Sequence, residues 1–453
     1  MSLYQQTLMS LVALGLALST AQHASATPRM SLTAGTPCSG CHYSPNGGGG
    51  RTELGWGSMN TVGMVSYDQL GLTALHEQES NTMLGEMLTL GFDARLQWAR
   101  LGRPEYDANN EVTYPELSMI PMQLQPYLAV KPTHSLTLYG SFMPGPDLMN
   151  RDGGAWEPAE QVYPGMSAYE AWAMYSLAHG VVNVRLGKLQ PTFGLRYDDH
   201  TIMIRGDGLN RRVPVIPPNF TELGADVSYQ PYRWLRADLS VVDTTNLDAS
   251  LNRVGVLALE GQPQGSAPNE LGAVATTARV MFMPQFTFGG AEASADDGFG
   301  DDGFGDDDFG DDFDAEAKPA AKPITLNAML GASLYQSGDF WMLNGFLAAG
   351  IDRGLSVIAE LMWSKRTIYY RQLNTQVGLS YALKNWLALN ARLERAQTHM
   401  LTTQLDEVAV TWQSVIGAEL FVLPYVELRP EYRFSQDIDY RFGYASLQLH
   451  MFY

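Results

Sequence analysis

The sequence predicts an all-β fold: a transmembrane antiparallel β-barrel of about 16 strands. Three observations predict it. Segments of about ten to fourteen residues alternate strictly between apolar and polar. Past the N-terminal leader, no run approaches the ~20 apolar residues of a spanning helix. The connections between segments come in short and long kinds, as in outer-membrane barrels with short periplasmic turns and longer external loops. Composition agrees. The 453 residues are 45% hydrophobic and 11% aromatic, with 44 glycines, which suits many strands joined by turns. The net charge of −19 excludes nucleic acid as a partner, because phosphates need Lys and Arg.

The first segment shows the pattern best. In "LTLGFDARLQW", Leu88, Leu90, Phe92, Ala94, Leu96 and Trp98 share one face, while Thr89, Gly91, Asp93, Arg95 and Gln97 share the other. Side chains two apart lie on the same side of a strand. "ITLNAMLGASLY" repeats the pattern from Ile324, and in "VELRPEYRF" Glu427, Arg429, Glu431 and Arg433 fall on one side. Opposed charges on the polar face and the lack of helical crossovers favour a barrel with lipid outside and a polar lumen over a soluble sandwich. The sixteen predicted segments are 88–101, 117–130, 134–144, 166–178, 181–190, 221–231, 233–243, 272–285, 323–336, 339–350, 354–366, 369–382, 385–396, 407–422, 425–435 and 440–453. The long connections are 102–116, 145–165, 191–220 and 244–271. An even count returns the C-terminus to the starting side, and the chain closes on an aromatic in "LQLHMFY".

Residues 1–26 read as a signal peptide. Leu8 to Leu18 is an apolar core, and Ala24, Ser25 and Ala26 form a small-x-small cleavage site, although no Lys or Arg precedes the core. Residues 27–86 then form a separate segment, and 87–453 the barrel. One connection breaks the rule of alternation. Residues 286–322 should be a periplasmic turn by strand parity, yet they hold "DDGFGDDGFGDDDFGDDF". From Gln285 to Lys322 there are twelve acidic and two basic residues. Such a composition forms no core and is expected to be disordered.

Residues 27–86 contain both cysteines of the chain, in "TPCSGCHYSPNGGGGRTELGW". Three chemistries use a Cys-x-x-Cys pair. A disulfide across so short a loop removes little chain entropy. Zinc needs about four ligands, and no second pair exists. Covalent haem attachment uses the thiols of Cys38 and Cys41 as thioethers, with the adjacent His42 as axial ligand to the iron. With an exported location, this motif predicts one haem c. Met30, Met59, Met64, His76, Met83 and Met87 are possible sixth ligands, and Met59 is preferred for its distance past the motif. About sixty residues rarely fold alone. The segment is therefore expected to plug the lumen, helped by the haem, with Gly47 to Gly50 either approaching the haem or wall closely or forming a loose loop.

This combination resembles the fused monohaem cytochrome–porins of the bacterial outer membrane, best known from iron-oxidising bacteria. The likeness rests on the haem motif followed by the barrel. It implies outer-membrane electron transfer, an extracellular donor such as Fe(II), a periplasmic c-type cytochrome or other electron carrier, and the lipid bilayer as partners. The acidic insert departs from that pattern. The alternatives are a solute porin with an accessory haem segment, or a barrel sheath for a separate cytochrome. "VRLGKLQPTFGLRYDDHT" is similar to a stretch of phosphate-selective-type porins. That similarity implies that Arg185 and Lys188 line an anion path, and Asp198, Asp199 and His200 form a loop able to take a metal ion.

An acidic tether attracts basic proteins at long range, with a Debye length of about 10 Å at 0.1 M salt and about 3 Å at 1 M. Deleting Asp296 to Asp314 should slow electron exchange with a lysine-rich cytochrome at low salt and leave it unchanged at high salt. Stopped-flow traces at the two salt concentrations check this.

Overall fold

A computed structural model describes residues 28–72, 80–84, 87–100, 105–106, 112–113, 117–143, 169–197, 202–205, 216, 220–255, 271–289, 323–352, 354–366, 370–400, 408–436 and 441–453. The signal peptide, most of the acidic insert, His76, and Asp198, Asp199 and His200 lie outside the described residues.

The described strands close into a 16-strand antiparallel barrel. They are β1 (Leu88–Arg100), β2 (Leu117–Thr133), β3 (Leu136–Phe142), β4 (Tyr169–Leu177), β5 (Val182–Leu189), β6 (Glu222–Tyr232), β7 (Leu235–Asp243), β8 (Val274–Phe282, resuming as Gln285–Phe288), β9 (Ile324–Ser337), β10 (Phe340–Ile351), β11 (Leu355–Arg366), β12 (Tyr370–Lys384), β13 (Leu387–Met400), β14 (Val408–Leu423), β15 (Val426–Gln436) and β16 (Arg441–Phe452). Each pairs with its sequence neighbours. Closure comes from β1 on β16, with Ala94 opposite Met451 and Leu96 opposite Leu449. Closure satisfies the backbone amides that hydrocarbon cannot.

Alternation sets the two faces as predicted. Leu90, Phe92, Leu128, Leu239, Leu347 and Leu393 are exposed on the outside, whereas Asp93, Arg95, Gln125, Glu170, Asp226 and Glu394 are buried inward. Exposed aromatics gather near both rims. Tyr232, Trp234, Phe282 and Phe286 lie at the tight-turn end, and Phe142, Tyr169, Trp363 and Trp412 toward the opposite end. Tyr232 stacks on Trp234 at 5.0 Å between ring centroids. An apolar band between aromatic girdles is the outer face of an outer-membrane barrel, and that is where this protein resides.

Two boundaries differ from the sequence reading. The eighth strand does not end at Gln285. Pro284 has no N–H to give the ladder, so pairing lapses at Met283 and Pro284, then resumes in unchanged register with Gln285 opposite Asn327 and Phe288 opposite Ile324. The acidic insert therefore starts after Phe288, not at residue 286, and both of its anchors stand at the tight-turn end. The second difference is the connection after β5. The alternation places it outside from residue 191, yet its first part folds into the lumen. Gly194 N–H donates to Ser333 Oγ at 2.8 Å, and Asn374 Nδ2 donates to the carbonyl of Met203 at 2.9 Å. This strap crosses from β5 to β12, its backbone groups satisfied by inward polar side chains.

The N-terminal segment fills the space beneath the strap. Its described residues form three short α-helices, α1 (Pro28–Ala34), α2 (Cys38–Cys41) and α3 (Glu53–Gly57). Wall side chains hold it throughout. Arg29 pairs with Glu419 of β14. Asn46 Nδ2 donates to Thr192 at 2.6 Å, and Tyr139 Oη accepts from Gly50 N–H at 2.9 Å. Met64 N–H donates to the Phe421 carbonyl at 2.8 Å.

Asp226 accepts from Arg185 Nη2 at 2.9 Å and from Thr192 and Ser240 at 2.7 and 2.8 Å, with both charged side chains fully buried. Asp226→Ala leaves a buried guanidinium uncompensated, a cost of about 3–5 kcal/mol. The temperature at which the folded protein loses its fast migration on semi-native gels should fall, and Arg185→Met added to Asp226→Leu should restore most of it.

Candidate functional site

The site is built on one turn of helix. Pro37 enters extended at φ −64° and ψ 153°, Cys38–Cys41 make the turn, and His42 leaves extended with its N–H on the Cys38 carbonyl at 2.9 Å. Residues three apart on a helix share a face, so both thiols point the same way. They are free cysteines. Burial raises the Cys41 thiol pKa, Cys38 raises it further, and Arg51 pulls it down.

A tight reversal then brings residues 50–52 beside 41–43. Tyr43 N–H donates to the Gly50 carbonyl at 3.1 Å and Thr52 N–H to the Cys41 carbonyl at 3.0 Å. The glycine run makes this possible. Gly47, Gly48 and Gly49 have φ of 82°, 69° and 62°, which side-chain-bearing residues rarely adopt. A Cβ on Gly48 would stand 2.1 Å from Arg196 Nε. Of the two readings left open for this run, close approach is the one the structure adopts. Thr52 Oγ1 then caps α3, accepting from Gly55 N–H at 3.2 Å.

Cys38, Cys41 and His42 line one cavity between plug and wall, with about 1200 Å³ of empty space, part of it open to solvent. Met59 lines it too, as does Met30. Met64, Met83 and Met87 are exposed and do not line it. Sequence reasoning missed the share of the wall, Met281, Met283, Met329, Arg236 and Arg279, and that of the strap, Arg196. Counting Arg51, four arginines face this cavity, and among the described residues no Asp or Glu does, in a chain of net charge −19. Arg236 and Arg279 share Asp238 at 2.7 and 2.9 Å and both donate to Asn46 Oδ1, at 3.0 and 2.6 Å. Arg196 donates to the Gly47 carbonyl at 2.7 Å.

These residues fit a large, mostly apolar group that carries carboxylates, forms two thioethers and accepts an imidazole on a metal. They do not fit a bare ion. Among the described residues, no group of three or more His, Cys, Asp or Glu is placed to hold one. Arg185 is not an open anion lining, contrary to the expectation. It is wholly buried and committed to Asp226 and Ser44. Lys188 lies over the Tyr169 ring at 4.2 Å. A second cavity, of about 1080 Å³, lies along the β11–β16 wall, with Arg29, Arg95, Arg392, Glu419, Arg429 and His450 among its lining.

No protein-family model matches the chain, and no curated protein matches it by sequence. Solved outer-membrane structures are similar in shape. OprB of Pseudomonas putida is 10% identical, over 86% of this chain and 98% of that one, with a TM-score of 0.47. The channel DcaP of Acinetobacter baumannii is 12% identical, over 81% and 97%, with a TM-score of 0.46. An anion-selective porin from Comamonas acidovorans is 12% identical, over 81% and 98%, with a TM-score of 0.42. Identities this low speak to fold and not to what the lumen holds.

A Cβ on Gly55 would stand 2.1 Å from the Cys41 carbonyl oxygen, a clash that backbone must move to relieve. Gly55→Ala should push α3 off α2 and expose Arg51, which is 3% exposed, to trypsin. Limited digestion should cut the variant after Arg51 faster than the wild type while the barrel fragment persists.

Proposed function

We propose that this protein carries electrons across the outer membrane through one covalently attached haem c held in the barrel lumen. One observation carries the reading: Cys38, Cys41 and His42 converge on a lumenal cavity that methionines and arginines line, with no carboxylate among the described lining residues. When bound, the haem supplies a one-electron couple at iron. The chain's own residues do the rest. Cys38 and Cys41 would anchor the group, and His42 would ligate its metal. Arg196, Arg236 and Arg279 would hold its carboxylates. The methionines exclude water. Trp56, buried on α3, stacks on Tyr425 at 5.3 Å and meets Tyr453 edge-on at 5.8 Å. Conjugated rings thus stand between the site and the tight-turn rim, the side for a periplasmic c-type cytochrome. The donor outside is an ion such as Fe(II).

The second reading is a solute porin with an accessory haem segment. It is favoured by the barrel architecture itself and by the charged second cavity. Planar-bilayer conductance separates the two, since an electron conduit passes little current with its plug in place.

Full-length protein matured with haem should stain for haem peroxidase on denaturing gels. In vesicles it should oxidise external Fe(II) while reducing a trapped cytochrome. Cys38→Ala with Cys41→Ala should abolish both signals, and His42→Ala should abolish the transfer, with heat-modifiable barrel migration kept in each. A stained double-cysteine variant would falsify the attachment.

A further inference from the structure

Inward positions of a barrel strand are ordinarily polar. On β8 the inward series runs Thr277, Arg279, then Met281, all buried while Thr276, Ala278 and Val280 face out. Met283 follows at the break. On β9, Met329 is buried next to inward-facing Asn327. Met281 stands opposite Gly331 in the ladder and Gln285 opposite Asn327, so the three methionines form one patch. An apolar patch facing a lumen needs a reason.

Height along the wall supplies it. Gly35 of the plug sits at the level of Asn327 and Gln285, 3.0 Å from a side-chain oxygen of Asn327 for a built Cβ. Asn46 sits at the level of Arg279, which it meets at 2.6 Å. Cys38, Cys41 and His42 lie between residues 35 and 46 in the plug, as Met281 and Met283 lie between Gln285 and Arg279 in the wall. The motif and the methionine patch both line the same cavity. Met59 is placed differently. It lines the same cavity from the plug side, packed among Trp56, Val62, Phe421, Tyr425 and Phe452, whereas Met281 and Met329 line it from the wall, packed with Leu32, Leu195, Phe346 and Ala348.

We infer that the barrel wall, through a methionine of the Met281, Met283 and Met329 patch, provides the second axial ligand of the haem iron, opposite His42. This rests on the haem reading above. The plug then contributes one axial ligand and the wall the other, so the redox centre is complete only when the plug is seated. A methionine ligand raises the reduction potential, which suits a centre that accepts electrons from a weak reductant.

The test uses the full-length, haem-matured protein and single Met281→Leu, Met283→Leu, Met329→Leu and Met59→Leu variants. Exchanging Met for Leu nearly conserves volume, the kind of core swap that is tolerated best, so the barrel should fold in each. The readouts are covalent haem content by pyridine haemochrome, the far-red thioether-to-iron absorption band of the oxidised protein, and the midpoint potential. One wall variant should lose the band and show a lower potential with haem content unchanged, while Met59→Leu keeps both. The inference is overturned if the wild type binds haem without the band, if all three wall variants keep it, or if Met59→Leu removes it. A wild type with no covalent haem overturns the functional reading as well, and the haemochrome assay tells these failures apart.

Discussion

Everything in this structure follows from one constraint: a backbone in hydrocarbon must satisfy its own amides. Sixteen strands do so only by closing, β1 on β16. Closure fixes which face each residue takes, because side chains alternate. It also creates a lumen too wide for wall side chains alone to fill. The strap after β5 and the N-terminal segment occupy that space, and each depends on the inward polar residues that alternation put there.

The plug illustrates the dependence. The helices α1, α2 and α3 among its described residues are seven, four and five residues long, well below the ~12–15 at which isolated helices become even marginal. Its stability is borrowed. Tyr139, Arg236, Arg279 and Glu419 are wall residues that meet plug backbone or side chains. Buried charges of this kind contribute little net stability, but removing one partner is costly. They therefore fix where the plug sits more than how strongly it folds. The glycines at 47–50 serve the same end, letting the plug's backbone lie against Arg196 and Tyr139 where any side chain would clash.

The strands are legible in the sequence because lipid enforces alternation residue by residue, and the turns because parity repeats. The Cys-x-x-Cys-His motif is legible because its residues are contiguous. What is not legible depends on residues that meet only after closure. Arg236 and Arg279 come from adjacent strands, and Asn46, which bridges them, is 190 and 233 residues away in the chain. Arg185 looks like an anion lining until Asp226 on the next strand matches it, a pairing visible only once register is known. One further signal does lie in the sequence: Met281 and Met329 fall on the polar side of otherwise regular alternation. The overrun of β8 past Pro284 is hidden because a proline and an acidic tract both argue for an ending, and the ladder resumes on pairing that neither predicts.

The electron carrier proposed above must meet two opposed demands. It has to stay closed to solutes, which a sixteen-strand lumen resists, and it has to hold a redox group away from both lipid and bulk water. A plug alone could block the hole but would leave the proposed cofactor facing a wide, wet wall. Here the wall nearest the motif interrupts the usual polar lining with three methionines, Met281, Met283 and Met329. They share one cavity with Cys38 and Cys41, beside Arg236 and Arg279, while the far side holds a second, charged cavity. The lumen is thus divided by chemistry, with one side shaped for an apolar group and the other for ions and water. Placing the arginines at the boundary, shared between Asp238 and Asn46, gives a buried anionic edge somewhere to end. The same division explains why plug, strap and wall all contribute to one cavity: no single element of this chain has enough apolar surface to enclose it.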